Sequence, residues 1–534
     1  MTKLRLLVAL CAALGWLTGC GGASAPPSGL VYCSEGDPDS FNPQLTTSGT
    51  SIDASAKQLY NRLLRFDPQI DTLVPDLATH WQVSDDGLEV RFTLRQNVMF
   101  HTTERFQPSR PLNADDVVFS FERVLDPNHP FHAIGGGRYP YFQSAGLTKQ
   151  IKGIRRIDDH QVAFDLHYAS ASFLSELATD FAIILSAEYG QQLLDNLTPE
   201  VIDLEPVGTG PFQLSGFQRH HYIRYQRHEQ YWDGPVSLEQ LVFDITPHST
   251  SRLIKLIGGD CDVAALPQIS ELSVIQAQDD LAVDTRPGLN VAYWAFNTQK
   301  PPLDNPLVRR ALSLAVDQRR ILAAVYHNTA VASHGLLPPI SWAYDPNTAL
   351  PEYNPEKARL LLEQVGVEQL DLTIWAMPVG RIYNPNAIKT AELIQQDLAA
   401  IGVSSRIVSY DWTVFVNRLE YAEYDTVLIG WSADTYDPDN FFTPLLSCEA
   451  LVFGSNRARW CNPEFDALMR QARQSSNKEI RKALYGQLEH ILRQELPLLP
   501  LAHASRTLGR QRAWQGPMLH TTGGIDFSAV VKEP

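Results

Sequence analysis

Beyond its first twenty residues, this 534-residue chain has no run of about 18 apolar residues, the length a membrane-spanning helix needs. It is also poor in positive charge: 44 Lys and Arg stand against 60 Asp and Glu, a formal net charge of −16. Phosphate contacts need clustered Lys and Arg, so this balance argues against a nucleic-acid partner. Several catalytic signatures are missing as well. There is no GxSxG elbow, and "GTGPF" (Gly208 to Phe212) lacks the lysine of a phosphate-binding loop. In "HEQYW" the place of a second zinc-binding histidine is taken by Trp232. No CxxC or CxxxC spacing occurs, which disfavours a zinc site. These gaps leave an enzyme reading without a foothold and call for no cofactor.

What is present begins at the amino terminus. Lys3 and Arg5 precede the apolar run Leu6 to Leu17, and "LTGC" ends at Cys20. A charged start, a short apolar stretch and small residues at its end form an export signal, residues 1–19. The last four residues fit a lipobox, so Cys20 is expected to carry lipid and to tether the protein to a membrane face. Residues 20–29, rich in Gly, Ser and Pro, form a flexible tether. Cys33, Cys261, Cys448 and Cys461 then remain, an even number in an exported chain, which reads as two disulfides. Four cysteines allow three pairings. A near pair, Cys448 with Cys461, would close a small loop and leave Cys33 and Cys261 to bridge distant segments.

The hydrophobic pattern is α/β throughout. "LEVRFTLR" (Leu88 to Arg95) and "HQVAFDLH" (His160 to His167) alternate as strands do. Asn113 is placed to cap a helix running through "ADDVVFSFERVL". Pro306 to Tyr326 predicts another helix, and Ile388 to Gly402 one that ends on a glycine. His220 and His221, read as part of a strand, point to opposite faces and cannot share a metal. "IGGGRYPYF" (Ile134 to Phe142) reads as a plain loop. Gly288 to Asn297 reads as a buried strand opening a second lobe, with a return through Pro497 to Thr507. The expected division is residues 30–287 plus 505–534 as one lobe, with a subdomain inserted at about 70–200, and 288–504 as the other.

One stretch concentrates chemistry: "GWSADTYDPDNFFTPLLSC", Gly430 to Cys448. A calcium loop needs glycine sixth and glutamate twelfth. Counted from Asp434 those places hold Asp439 and Leu445, and counted from Asp437 they hold Phe442 and Cys448. Calcium is excluded. Asp437 and Asp439 flank Pro438 and read as turn residues. Asp434, three residues past Trp431, is the candidate ligand-binding carboxylate; an ammonium ion there could also gain a cation–π contact with the indole.

Together, "VYCSEGDPDSFNPQLTTSGT", "LNADDVVFSFERVLDP", "PVGTGPFQL" and "GWSADTYDPDNFF" resemble the extracytoplasmic peptide-binding proteins of ABC transporters. Among them, the dipeptide-binding and SapA-type groups are the most similar. The resemblance implies a two-lobed periplasmic-binding-protein fold with an extra subdomain in the larger lobe, and disulfides Cys33–Cys261 and Cys448–Cys461. It implies that Asp434 receives a peptide α-ammonium and Arg381, in "WAMPVGRIYNPN", the α-carboxylate. Trp431, Gly430 and Ser432 would line the ammonium end, and Ser48, Gly49 and Thr50 would come from the other lobe. The implied partners are short peptides and an ABC permease, with the protein monomeric and held in the cell envelope. SapA-type relatives imply an alternative ligand class, haem or cationic antimicrobial peptides.

Overall fold

The computed structural model describes residues 29–67, 72–453 and 455–533. The signal, the lipobox with Cys20 and most of the tether lie outside the described residues. Among the described residues no helix is long and apolar enough to cross a membrane.

Two halves share one twelve-stranded sheet, and a single strand, Leu498–Gln511, runs through both. Its first part pairs antiparallel with the strand Asn290–Phe296, from Ala292 opposite Ala502 to Ala295 opposite Leu498. Its second part pairs with Leu281–Pro287, from Pro287 opposite Ser505 to Leu281 opposite Gln511. The chain therefore crosses between halves twice, side by side, at Gly288–Leu289 and at Ala504–Ser505. Every residue of Asn290–Phe296 is buried, which explains why its sequence lacks alternation: the strand is covered on both faces. Three large apolar cores and a small one of Leu256, Ala264, Ile275 and Leu281 follow from this layout among the described residues. One is built from residues of 289–504, one from 52–207, and one joins the amino-terminal strand to segments near 212–265 and 508–530. The architecture is a two-lobed α/β fold.

Asn290 holds the crossing. Its amide nitrogen donates to the Ala504 carbonyl at 2.8 Å, and its amide oxygen accepts from the Ala504 N–H at 2.9 Å. A Cβ on Gly288 would sit 2.1 Å from that amide nitrogen and 2.6 Å from the Ala504 carbonyl, so only glycine fits beside it.

A separate four-stranded antiparallel sheet, Ala78–Val83, Glu89–Leu94, Gln161–Leu166 and Ile151–Asp158, packs on the helix Ala114–Leu125. Asn113 caps that helix as its sequence predicts, and Asp116 closes the capping box on the Asn113 N–H at 2.9 Å. The helix Ala387–Ala399 ends through Gly402 at a positive φ of 82°. Cys33 is bonded to Cys261 and Cys448 to Cys461.

Three sequence expectations are corrected. Ile134 to Phe142, read as a plain loop, holds the 3-10 turn Ile134–Gly136 and most of the helix Pro140–Ser144. The helix predicted over Pro306–Tyr326 breaks: Pro306–Ala315 ends at an extended Val316, and Asp317 starts a new turn by accepting from the Arg319 and Arg320 N–H groups. An N-cap carboxylate competes with helix propagation, and here it wins. His220 and His221 lie in the turn between Phe212–Gln218 and Tyr222–Arg227 rather than in a strand, with His220 at positive φ beside Asp37. Among the described residues no group of three or more His, Cys, Asp and Glu side chains is disposed to hold a metal ion.

Asn290→Ala would leave two buried backbone groups of Ala504 unpaired, so it should lower the unfolding free energy by about 2–4 kcal/mol. Urea unfolding of the variant measures this; an unchanged stability would mean that the crossing is held by other contacts.

Candidate functional site

The stretch around Asp434 folds as three separate devices. The strand Thr426–Ser432 lies beside Asn290–Phe296, and the chain bends directly after it. The Asn440 side-chain oxygen accepts from both the Trp431 indole N–H (3.0 Å) and the Asp434 backbone N–H (3.2 Å), which fixes the bend. Asp437 is buried and forms a two-pronged pair with Arg481 at 2.7 and 2.8 Å, with the Tyr485 hydroxyl at 3.4 Å. Asp439 opens the helix Asp439–Leu446 and accepts from the Thr443 hydroxyl at 2.8 Å. The turn reading of Asp437 thus misses its main role, which is to neutralise a buried arginine. Phe441 and Phe442 are core residues, Phe442 stacking on Tyr485.

Asp434 differs from both. Among the described residues no donor reaches its carboxylate, and it lines a cavity of about 510 Å³ between the halves. Burial, with the charge of Asp180 adding to it, pushes its carboxyl up from 3.8 to about 7.

Arg381 lines the same cavity. It sits in a tight bend where its backbone exchanges hydrogen bonds with Asn384 at 2.9 and 3.0 Å. Its guanidinium stacks 4.4 Å above the Trp412 ring, and among the described residues it has no carboxylate partner. Two residues on, the Tyr383 ring lies over Gly430, where a Cβ would approach the ring to 2.3 Å. Gly430 is therefore glycine to seat Tyr383, itself part of the cavity wall.

The opposite wall carries Ser48, Gly49 and Thr50 at the start of the helix Gly49–Ser55. Ser48 and Thr50 share a hydroxyl–hydroxyl contact of 3.0 Å, and Thr50 donates to the Asp37 carbonyl at 2.9 Å. The structure thus brings Asp434, Arg381, Ser432, Ser48, Gly49 and Thr50 to one cavity; Trp431 and Gly430 stand behind it and do not line it.

Several lining residues were not found from the sequence. Phe66 and Tyr436 stack across the gap, ring centres 3.5 Å apart and 13° from parallel, and the Tyr436 hydroxyl bonds to Thr521. Asp180 pairs with Lys57 at 2.6 Å and Arg62 at 3.1 Å. Burial raises its carboxyl, but these two cations outweigh that and hold it below its usual value. Glu35, Asp53 and Arg506 also face the cavity. These side chains come from segments hundreds of residues apart, and no local pattern marks them.

A carboxylate and an exposed guanidinium, neither ion-paired among the described residues, on the walls of one cavity can hold a ligand carrying both charges. A cavity of this size is in the usual range for small-molecule sites, roughly 300–1,000 Å³.

Comparison with known proteins agrees in family. The bacterial extracellular solute-binding proteins, family 5 (middle), match over residues 72–451. The chain is 44% identical over 506 residues to the peptide transport periplasmic protein SapA of Salmonella typhimurium, covering 95% of this chain and 92% of that one. It is 43% identical over 484 residues to the dipeptide-binding protein of Escherichia coli, covering 90% of each. The crystal structure of the dipeptide-binding protein of Pseudoalteromonas sp. SM9913 in complex with Met-Leu is similar with a TM-score of 0.85 and 46% identity, covering 95% of this chain and all of that one.

The two aspartates make opposite predictions. Asp437→Ala should destabilise the fold by about 3–5 kcal/mol, since it strands a buried Arg481. Asp434 is protonated more readily in the folded than in the unfolded protein, so its contribution to stability is present at low pH and is lost as pH rises from about 4 to 7. Asp434→Asn should therefore raise stability at pH 8, by up to about 4 kcal/mol, and leave it unchanged at pH 3. Thermal unfolding at both pH values separates the two roles.

Proposed function

The chain belongs to the bacterial extracellular solute-binding proteins of family 5, and from that premise we propose that it captures short peptides, dipeptides foremost, between its lobes and hands them to an ABC permease. It acts outside the cytoplasm as a receptor and catalyses no reaction on the peptide; lipid on Cys20 tethers it to the membrane face. The observation that carries this reading is the pair of unpaired opposite charges, Asp434 and Arg381, in one cavity.

In this reading the peptide α-ammonium pairs with Asp434 and the α-carboxylate with Arg381. The two ends of an extended dipeptide lie roughly 7 Å apart. Two fixed charges therefore measure ligand length, and the planar guanidinium, already oriented on Trp412, can take the carboxylate with two parallel bonds. Closing the lobes excludes water and strengthens both contacts. The double crossing at Gly288 and Ala504 serves as the hinge, and the lobes are divided there. Bound peptide shifts the population towards the closed form that the permease reads.

Calorimetry on refolded protein, freed of co-purified peptide, tests the reading with Ala-Ala, N-acetyl-Ala-Ala and Ala-Ala-amide. Binding of the free dipeptide, lost when either end is blocked, is expected. Failure of all three to bind would overturn it.

A pH series adds a second check. Only the carboxylate form of Asp434 pairs an ammonium, and its carboxyl stands at about 7 in the free protein. Ala-Ala affinity should fall about tenfold per pH unit below 7 and level off above it, with proton release on binding at pH 6. An affinity flat from pH 5 to 8 would assign the ammonium to another group.

A further inference from the structure

The halves touch at the crossing and again away from the cavity walls. Around the crossing, the Leu289 N–H donates to the Thr521 carbonyl at 3.1 Å, and the Tyr436 hydroxyl bonds to the Thr521 side chain. A second set of contacts joins the half that carries the four-stranded sheet to a helix of the other. There the Ala171 N–H donates to the Arg473 carbonyl at 2.7 Å, and the Lys149 ammonium meets the Glu449 carboxylate at 2.7 Å. Lys149, Ala171, Glu449 and Arg473 do not line the cavity.

Each side of this second contact is assembled within its own half. The strands Ile151–Asp158 and Gln161–Leu166 pair with Ile151 opposite Leu166, so Lys149 and Ala171 come from the same end of one β-ribbon. The His167 N–H closes that end by donating to the Gln150 carbonyl at 2.8 Å. Opposite, Glu449 follows Cys448, whose bond to Cys461 staples it to the start of the helix Pro463–Gln474. The Cys448 N–H also donates to the Asp466 carboxylate in that helix, at 3.2 Å. At the far end of the helix the Ser475 N–H returns to the Gln471 carbonyl. The Arg473 carbonyl belongs to the last turn, where a helix supplies no donor of its own. Its donor comes from the other half.

We propose that this contact is a latch, through which the half carrying the four-stranded sheet holds the lobes closed and slows release of the ligand. The inference rests on the capture reading above, in which the lobes turn about the crossing. Turning returns the Ala171 N–H and the Arg473 carbonyl to water and parts the ion pair, so the latch favours the closed form by the net worth of these contacts. No ligand atom takes part, and the bias acts whether the cavity is filled or not. Apparent affinity scales with the closed fraction, so a latch outside the cavity tunes affinity without changing which peptides fit. The disulfide Cys448–Cys461 fixes Glu449 against the helix whose last turn receives Ala171, and so keeps the catch in one piece.

Stopped-flow release of Ala-Ala from the full chain tests this through a charge exchange. Both side chains of the ion pair are exposed, so their substitution leaves the core untouched. Glu449→Lys sets two ammonium groups face to face and should speed release about three- to fivefold, with association nearly unchanged. Lys149→Glu combined with Glu449→Lys restores an ion pair and should bring release back to within about twofold of the unaltered protein. Discrimination between Ala-Ala and its blocked forms should not move, because neither terminal charge is touched. Equal release in all three proteins, or a fast release that the exchange does not restore, would overturn the latch and leave the dipeptide reading standing. If Ala-Ala binds none of them, that reading falls, and small-angle scattering of the refolded, peptide-free proteins decides the latch. A larger radius of gyration for Glu449→Lys alone supports it, and one radius for all three overturns it.

Discussion

Asn290 hydrogen-bonds both backbone groups of Ala504, and around that contact the chain passes twice between its halves. A strand of 14 residues is paired along its length, first in one half and then in the other. The position of the cavity follows from this. Asp434 comes immediately after the strand next to Asn290–Phe296, and Ala433 bonds back to the Leu289 carbonyl at 2.8 Å. Asp434, on the cavity wall, thus lies close to the crossing between the halves.

The cavity combines neutralised and unneutralised charges, and the difference is what gives it chemistry. Asp180 with Lys57 and Arg62, and Asp437 with Arg481, are satisfied within the protein and serve as framework. Asp434 and Arg381 form no ion pair among the described residues, and for Asp434, which is largely buried, that carries an electrostatic cost. A binding protein gains selectivity this way: a ligand lacking the matching charge leaves the cost in place. The aromatic stack of Phe66 on Tyr436 adds apolar closure across the same gap.

Local chemistry was legible wherever neighbours in sequence are neighbours in space. Asn113 and Asp116 cap their helix from three residues apart, Gly402 ends its helix, and the uninterrupted apolar run of Asn290–Phe296 marks a strand buried on both faces. Asp434 stood out for the same reason, lying just beyond an apolar strand and a tryptophan. The break at Val316 was missed because Asp317 satisfies a helix pattern as well as it caps a new turn, and only its bonds to the Arg319 and Arg320 N–H groups decide between them. Trp431 was expected to face the ligand, but its indole is held by Asn440, and ring position depends on that contact rather than on spacing.

From the sequence alone came the α/β class, the export features, the family resemblance, and Asp434 and Arg381 as candidate charges, because each rests on a short stretch of chain whose residue types carry the signal. Tertiary structure alone decided which charges are free. Asp437 and Asp434 are three residues apart in one loop, yet Arg481 pairs the first and no described side chain pairs the second. Pairing is a property of distance in space, and distance in space is what a linear pattern does not contain.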